Sequence, residues 1–259
     1  MAQEYNAELT ENMRTIFPGR DEASYAWGRS MSCILGISPH LRFFVPFSSV
    51  DENFDAYDLS GQGRMMTQVS LTAASYAAYG ALVPYVGLDG VADYLTRLDE
   101  PGLDFTGEMT VFCWFRIARN TNAEGLITKI GNTNATSNFN LVYRGDVGGD
   151  PLLGRVYSGA NAYDAPLTLS PVLNSWTCAA LRFTPSANVA IMMNGIFATN
   201  GVGMPAALNN SAFDMQFGAA NGASFLQGNL TLCCGWAKAL TGTQLVALYQ
   251  ATYPLFYGV

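Results

Sequence analysis

From about residue 41 onward, apolar residues recur in short runs and not at the longer period of helices. The runs are rich in Val, Ile, Phe, Tyr and Thr, and clusters of Gly, Asn, Asp and Pro separate them. This spacing is typical of antiparallel strands joined by turns. It predicts strands at 41–47, 85–88, 109–117, 125–130, 138–143, 152–157, 175–183, 188–193, 196–198, 213–217 and 229–236. We therefore expect an all-β fold in which two antiparallel sheets stack as a sandwich.

Three segments give sharper predictions. Segment 175–183 is apolar at both its odd and its even positions, which indicates a central strand covered on both faces. Asn194-Gly195 lies between two apolar runs and predicts a tight hairpin turn, because both turn residues need positive φ. Thr241 can cap a short C-terminal helix whose apolar face includes Leu245 and Leu248, and we expect this helix to cover the sandwich.

Residues 1–40 differ from the rest and predict an N-terminal arm, followed by one domain over residues 41–259. The stretch 8–17 predicts a short helix that ends at Pro18-Gly19. The arm is rich in aromatic residues, which contact either their own domain or a neighbouring subunit. The candidate partner contacts are Tyr5, Phe17, Tyr25 and Trp27.

The charge composition excludes one class of function. Only 13% of the residues are charged, against roughly 25% in a typical soluble domain. Lys129 and Lys238 are the only lysines, and the net charge is -7. Because no basic stripe is available to neutralise phosphates, we expect no nucleic-acid partner.

The sequence also bears on targeting. The acidic N-terminus lacks the features of a secretory signal, and the most apolar window, 71–86, is interrupted by Thr, Ser, Gly and Pro. We therefore expect synthesis in a cytoplasm without membrane insertion. The five cysteines lack CxxC spacing, which speaks against a zinc site and a disulfide framework, and Cys113 and Cys178 are expected to be buried.

Four segments, in order over some 210 residues, resemble the laminin-G-like or concanavalin A-like lectin/glucanase jelly-roll domains of bacteria and phages. The segments are 41–47 followed by Asp58-Leu59-Ser60-Gly61-Gln62-Gly63, then 88–95 with 103–115, then Trp176 through Asn194-Gly195, and finally 217–241. Two positions depart from the family pattern, because Thr231 and Asn194 stand where the family commonly has acids. Both departures remove carboxylates and weaken the expectation of a calcium site.

Although the superfamily includes enzymes, the residues of this chain predict a non-enzymatic protein. Glycoside hydrolases of this superfamily need paired carboxylates, whereas the acids after residue 108 are scattered singly, and His40 has no nucleophile motif beside it. No cofactor is expected apart from a calcium ion, whose candidate ligands in a loop of acids are Asp89 and Asp93.

Two functions agree with the resemblance. The first is a bacteriophage virion protein, on the capsid or tail, that contacts other virion proteins and self-associates, for example as a trimer. Because lysis releases phage proteins, a virion location needs no signal peptide. The alternative is an adhesin module that binds glycans on a host surface. Its candidate ligand residues, in and beside the run 155–164, are Tyr143, Tyr157, Asn161 and Tyr163.

Overall fold

The structure, a computed structural model, describes Ile34, Gly36 and residues 38–48, 51, 53–79, 83–149 and 151–257. Within these residues sixteen strands form two antiparallel sheets, and two short helices follow them. The strands are β1 (Leu41–Val45), β2 (Ala56–Tyr57), β3 (Met65–Val69), β4 (Tyr76–Tyr79), β5 (Val83–Asp89), β6 (Tyr94–Arg97), β7 (Met109–Ile117), β8 (Ala123–Lys129), β9 (Phe139–Arg144), β10 (Leu152–Ser158), β11 (Asn161–Leu167), β12 (Thr177–Thr184), β13 (Asn188–Met193), β14 (Ile196–Asn200), β15 (Met215–Phe217) and β16 (Gln227–Trp236). The helices are α1 (Gly242–Thr252) and α2 (Pro254–Tyr257).

Each sheet has eight described strands, and their order confirms the predicted sandwich. The first sheet runs β14-β13-β12-β7-β16-β5-β4, with β1 also paired to β16. The second sheet runs β11-β10-β9-β8-β15-β6-β3-β2. The Asn194-Gly195 turn joins β13 to β14 as predicted, with φ of 49° and 85° at its two residues. Of the described strands, β2, β3, β4, β6 and β11 are not predicted by the sequence pattern.

The first sheet is buried on both faces. In β7, Val111, Cys113 and Phe115 point into the core between the sheets, whereas Phe112 and Trp114 point into a second cluster on the outer face. The neighbouring strand β12 is buried in the same two-sided way, which confirms the prediction for segment 175–183. A strand without a solvated face needs apolar residues at both parities, as these two strands have.

The C-terminal helices cover the outer face of the first sheet, as expected. Thr241 caps α1 by accepting the backbone N–H of Gln244, whose side chain accepts the Thr241 N–H in return. The Trp114 ring stacks on Phe256 with ring centroids 4.1 Å apart. Its indole N–H donates to the Thr252 hydroxyl at 2.8 Å, so this buried ring has both apolar and polar partners.

Strand β16 changes partner half-way, at a β-bulge. Residues 227–230 pair with β5 and residues 233–236 pair with β1. The bulge lies between Thr231 and Cys234, where Leu232 has a φ of 48°. The Thr231 hydroxyl donates to the carbonyl of Pro84 at 2.6 Å, so the threonine that replaces the family's acid holds the bulge against the end of β5.

Most of the predicted arm lies outside the described residues. This holds for the helix at 8–17 and for the four aromatic residues Tyr5, Phe17, Tyr25 and Trp27, so the arm and its boundary near residue 40 stay predictions. Ile34 is described and is fully buried in the outer cluster of the first sheet. The described cysteines are buried, as expected for small apolar side chains: Cys113, Cys178, Cys233 and Cys234.

Candidate functional site

The structure does not gather the predicted sugar-binding residues into one exposed platform. Tyr143 is fully buried between the sheets, and only 5% of Tyr157 is exposed. Because a sugar stacks on an exposed ring face, these two rings leave the candidate set. Asn161 is exposed at the β10–β11 hairpin, and Tyr163 is half-buried against the inter-sheet core. Both stay candidates without a described site around them.

Asp89 and Asp93 do lie together, in a cleft of about 400 Å³ at one end of the sandwich. The cleft exists because β16 pairs with β5 here, with Asn229 opposite Gly87 and Gln227 opposite Asp89. The lining residues come from three stretches of the chain and from Ala118: Ala74, Ser75, Gly87, Leu88, Asp89, Asp93, Ala118, Gln227, Gly228 and Asn229.

Asn229 presents a hydrogen-bond donor to this cleft. The residue is only 8% exposed, and its Oδ1 accepts from Arg116 Nε at 2.7 Å, which fixes the orientation of the amide. Its Nδ2 has no hydrogen-bond partner among the residues that the structure describes. A Cβ added to Gly87 would lie 3.3 Å from this Nδ2, so the glycine keeps the space in front of the donor open.

The two carboxylates of the cleft differ in their surroundings. Asp89 Oδ1 accepts the backbone N–H groups of Val91, Ala92 and Asp93 at 2.8, 3.0 and 3.2 Å, which closes the turn after β5. Partial burial acts to raise the pKa of Asp89, but these donors outweigh it and the pKa is lowered. The pKa of Asp93 is raised, first by partial burial and then by the charge of Asp89. Asp89 is thus firmly ionised, and Asp93 is the more readily protonated of the two.

An ion pair behind the cleft holds its turns in place. Arg119 Nε donates to the buried carboxylate of Glu124, and Arg119 Nη2 donates to the carbonyls of Phe225 at 2.7 Å and Gly90 at 3.2 Å. One guanidinium therefore connects the loop after β7, the turn after β5 and the segment before β16. Burial raises the pKa of Glu124 to about 7, although the hydrogen bond and charge of Arg119 oppose this.

The raised pKa of Glu124 predicts a pH-dependent stability. The folded chain holds this proton more tightly than the unfolded chain, so the stabilisation is complete below pH 4.5 and is lost as the pH rises through about 7. We expect the loss to be roughly 3 kcal/mol in the free energy of unfolding. Urea unfolding of wild type and Glu124→Gln between pH 4.5 and 8 measures it as the difference between the two slopes. Parallel slopes would contradict this assignment.

The described residues give no support to the predicted calcium ion at Asp89 and Asp93. Among them, no group of three or more His, Cys, Asp or Glu side chains is placed to hold a metal ion. Two further acids near these in sequence, Asp99 and Asp104, face a cation of the chain itself, because Lys129 Nζ contacts Asp99 Oδ1 and lies 3.3 Å from Asp104 Oδ1.

A row of polar residues crosses the outer face of the second sheet, and the side chains of Arg155, Thr128 and Gln216 in it are bonded within the protein. Arg155 makes a two-pronged ion pair with Asp164 at 2.5 and 2.7 Å. The Thr128 hydroxyl donates to the Ala219 carbonyl at 2.9 Å. Gln216 Oε1 accepts the N–H of Gly222 at 2.9 Å. Unlike the cleft beside Asn229, these groups already have partners, so this face is the weaker candidate.

Chemically, the cleft offers one oriented amide donor, two carboxylate acceptors and the side chains of Ser75 and Gln227. Closely spaced donors and acceptors of this kind match a ligand that carries several hydroxyl groups. The sequence pattern identified Asp89 and Asp93 but missed Asn229. The only sequence signal at Asn229 is that it begins a predicted strand. Gly87, which lies opposite it in the cleft, is about 140 residues earlier in the chain.

Comparison with protein families gives one match. Residues 89–246, which begin at the cleft, match the family described as the concanavalin A-like lectin/glucanases superfamily. No curated protein matches the sequence significantly. No helix in the described part of the chain has the length and apolar character needed to cross a membrane.

Solved structures share the fold at low sequence identity. The binding domain of botulinum neurotoxin serotype G aligns with a TM-score of 0.62 and 14% identity, covering 81% of this chain and 50% of its own. The binding domain of Paraclostridial Mosquitocidal Protein 1 aligns with a TM-score of 0.62 and 13% identity, and the alignment covers 84% of this chain and 53% of that one. A structure of botulinum neurotoxin type C aligns with a TM-score of 0.61 and 12% identity, and the alignment covers 84% of this chain and 52% of that one. Cell entry of that toxin depends on two ganglioside molecules. The chain thus spans about half the length of each of these chains.

Proposed function

Because the chain belongs to the concanavalin A-like lectin/glucanases superfamily, we propose that it is a non-enzymatic domain that binds a glycan in the cleft beside Asn229 and Asp93. The observation that carries this proposal is the oriented Nδ2 donor of Asn229, which faces the cleft and has no hydrogen-bond partner among the described residues. A sugar hydroxyl can accept from it while donating to Asp93. The ganglioside dependence of neurotoxin type C shows that a protein with this fold can use a glycan, and it supports glycan binding without indicating which glycan or which face of the fold.

A half-buried aromatic pair next in sequence to the cleft residues supports the proposal. Tyr94 follows Asp93, Phe225 lies two residues before Gln227, and the two ring centroids are 5.9 Å apart. Lectin sites combine planar polar side chains with apolar ring surface, because a sugar has both hydroxyl edges and a C–H face. Both kinds of surface are present at this end of the sandwich.

Asn229→Asp is the variant that tests the proposal. It keeps an oxygen for Arg116 Nε but replaces the Nδ2 donor with an acceptor, so we expect glycan affinity to fall tenfold or more. A glycan array with the full chain identifies a bound oligosaccharide, and titration calorimetry with that oligosaccharide gives the affinities. Asn161→Asp carries the same charge change at the β10–β11 hairpin and is expected to bind as wild type does.

Two results would overturn the proposal. The first is that no glycan on the array binds. The second is that Asn161→Asp abolishes binding whereas Asn229→Asp leaves it unchanged, since this would place the site at the hairpin of Asn161 and Tyr163. Circular dichroism melting of both variants separates loss of binding from loss of fold.

A place in a bacteriophage particle, with virion partners and self-association, stays a prediction. Its support is the low charge of the chain, at 13%, together with strongly exposed apolar side chains such as Val202 at 83% and Val172 at 68%. A surface of this kind suits contact with other subunits. Mass spectrometry of purified particles tests this role, and absence of the chain from intact virions would end it.

A further inference from the structure

The charge of the cleft bears on which glycans it accepts. Two of its lining side chains are carboxylates, Asp89 and Asp93, and none of the described residues that line it is basic. The whole chain adds a net charge of -7, which repels polyanions at a distance. Anionic glycans would therefore meet like charge on approach and again inside the cleft.

The two nearest arginines are engaged elsewhere. Arg119 is paired with the buried Glu124, and its Nη2 is occupied by two carbonyls. Arg116 donates from Nε to Asn229, and its guanidinium carbon lies 6.0 Å from the centroid of the Trp176 ring. Neither is a member of the cleft lining, so within the described part of the chain the two acids have no cationic side chain as a direct partner.

Asp93 is the acid with more capacity to meet a ligand. Asp89 Oδ1 is used by three backbone N–H groups, whereas the Asp93 carboxylate accepts one, from the backbone of Asp89. The other group that a ligand can meet here is the buried Asn229 amide, whose Nδ2 has no hydrogen-bond partner among the described residues. A ligand that donates a charged N–H to Asp93 and accepts from Asn229 Nδ2 satisfies both groups at once.

From this arrangement we propose that the cleft selects glycans that carry free amino groups over neutral and anionic glycans. This inference rests on the proposed glycan-binding function and adds the ligand class. The protonated amine supplies the cation that Asp93 lacks, while a ring hydroxyl of the same sugar accepts from Asn229. An N-acetylated sugar has no such charge, and a uronic acid carries the opposite one.

Three oligosaccharides of equal length test the inference with the full-length chain: a glucosamine oligomer, its N-acetylated form and an oligogalacturonate. At a pH where the amines are protonated, titration calorimetry is expected to show about fivefold tighter binding of the amine form than of the acetylated form, and the weakest binding for the uronate. High salt is expected to remove the preference. Asp93→Asn is expected to bring the amine-to-acetyl ratio close to one.

Asp214→Asn is the matched control, because it changes the net charge equally but lies in a different cleft, beside Phe213 and Gln216. It is expected to keep the fivefold ratio. Equal affinities for all three oligomers in wild type, or a ratio that falls as much in Asp214→Asn as in Asp93→Asn, would overturn the selectivity while leaving glycan binding intact. Absence of binding to these oligomers and to every glycan on the array would overturn the proposed function itself.

Discussion

Replacing Lys129 with methionine is expected to lower the free energy of unfolding by about 3–5 kcal/mol. Lys129 is fully buried, and its Nζ contacts Asp99, lies 3.3 Å from Asp104 and donates to the Phe213 carbonyl at 3.0 Å. Methionine retains the length of the side chain but leaves the Asp104 carboxylate, at 10% exposure, without its cation. The β6–β7 loop, which carries both acids, and the segment before β15 would lose the point at which they meet β8.

Lys238→Met is the matched control, since Lys238 is the other lysine of the chain and is partly exposed. It is expected to change the free energy of unfolding by less than about 0.5 kcal/mol. Urea denaturation of both variants gives the comparison. Equal, small effects for the two lysines would show that the ion pairs around Lys129 do not stabilise the fold.

Replacing Trp114 with alanine is expected to cost about 3–5 kcal/mol and to loosen the C-terminal helices. The indole is fully buried between the first sheet and α2, where it stacks on Phe256 and donates to Thr252. Alanine leaves a cavity under the helices and the Thr252 hydroxyl without its indole donor. Hydrogen exchange measures the second effect, and we expect amides of α1 to lose protection before those of β7 and β12.

The variant Trp114→Phe separates packing from hydrogen bonding. It keeps ring area against Phe256 but removes the indole N–H, so it is expected to cost less than Trp114→Ala. If Trp114→Ala unfolds at the same urea concentration as wild type, the helices do not contribute to the stability of the sandwich.

The sequence predicted those parts of the fold whose signal is local. Asn194-Gly195 requires positive φ at two successive positions, and Thr241 with Gln244 forms a reciprocal cap, so each is visible within a few residues. The two-sided apolar pattern of 175–183 likewise follows from a strand with no solvated face. These features do not depend on which segments meet in space.

The strands that the pattern missed are short or polar, and most owe their conformation to a partner. The strand β11 contains Asp164 and Pro166 and lies at a sheet edge, where its register with β10 determines it. The strand β4, Tyr76–Tyr79, is rich in alanine and pairs only with β5 among the described strands. No local preference for extended structure marks such segments, because the ladder supplies the stabilisation.

The candidate site could be predicted only in part, for the same reason. Asp89 and Asp93 were visible as acids in a turn and were predicted as calcium ligands. The structure places both in the lining of a cleft. Asn229 and Gly87 become neighbours through pairing of β16 with β5, which no local pattern encodes. Lys129 ends an apolar run and would be placed in solvent by pattern alone, whereas the fold buries it among acids.

NMR mapping of backbone amide chemical shifts during titration with a bound oligosaccharide tests the central proposal most directly. It locates the ligand without any substitution. A glycan in the cleft is expected to shift the amides of Gly87, Asp93 and Gly228, with little change at the β10–β11 hairpin. Shifts confined to residues 157–163, or none at saturating glycan, would contradict a binding site beside Asn229 and Asp93.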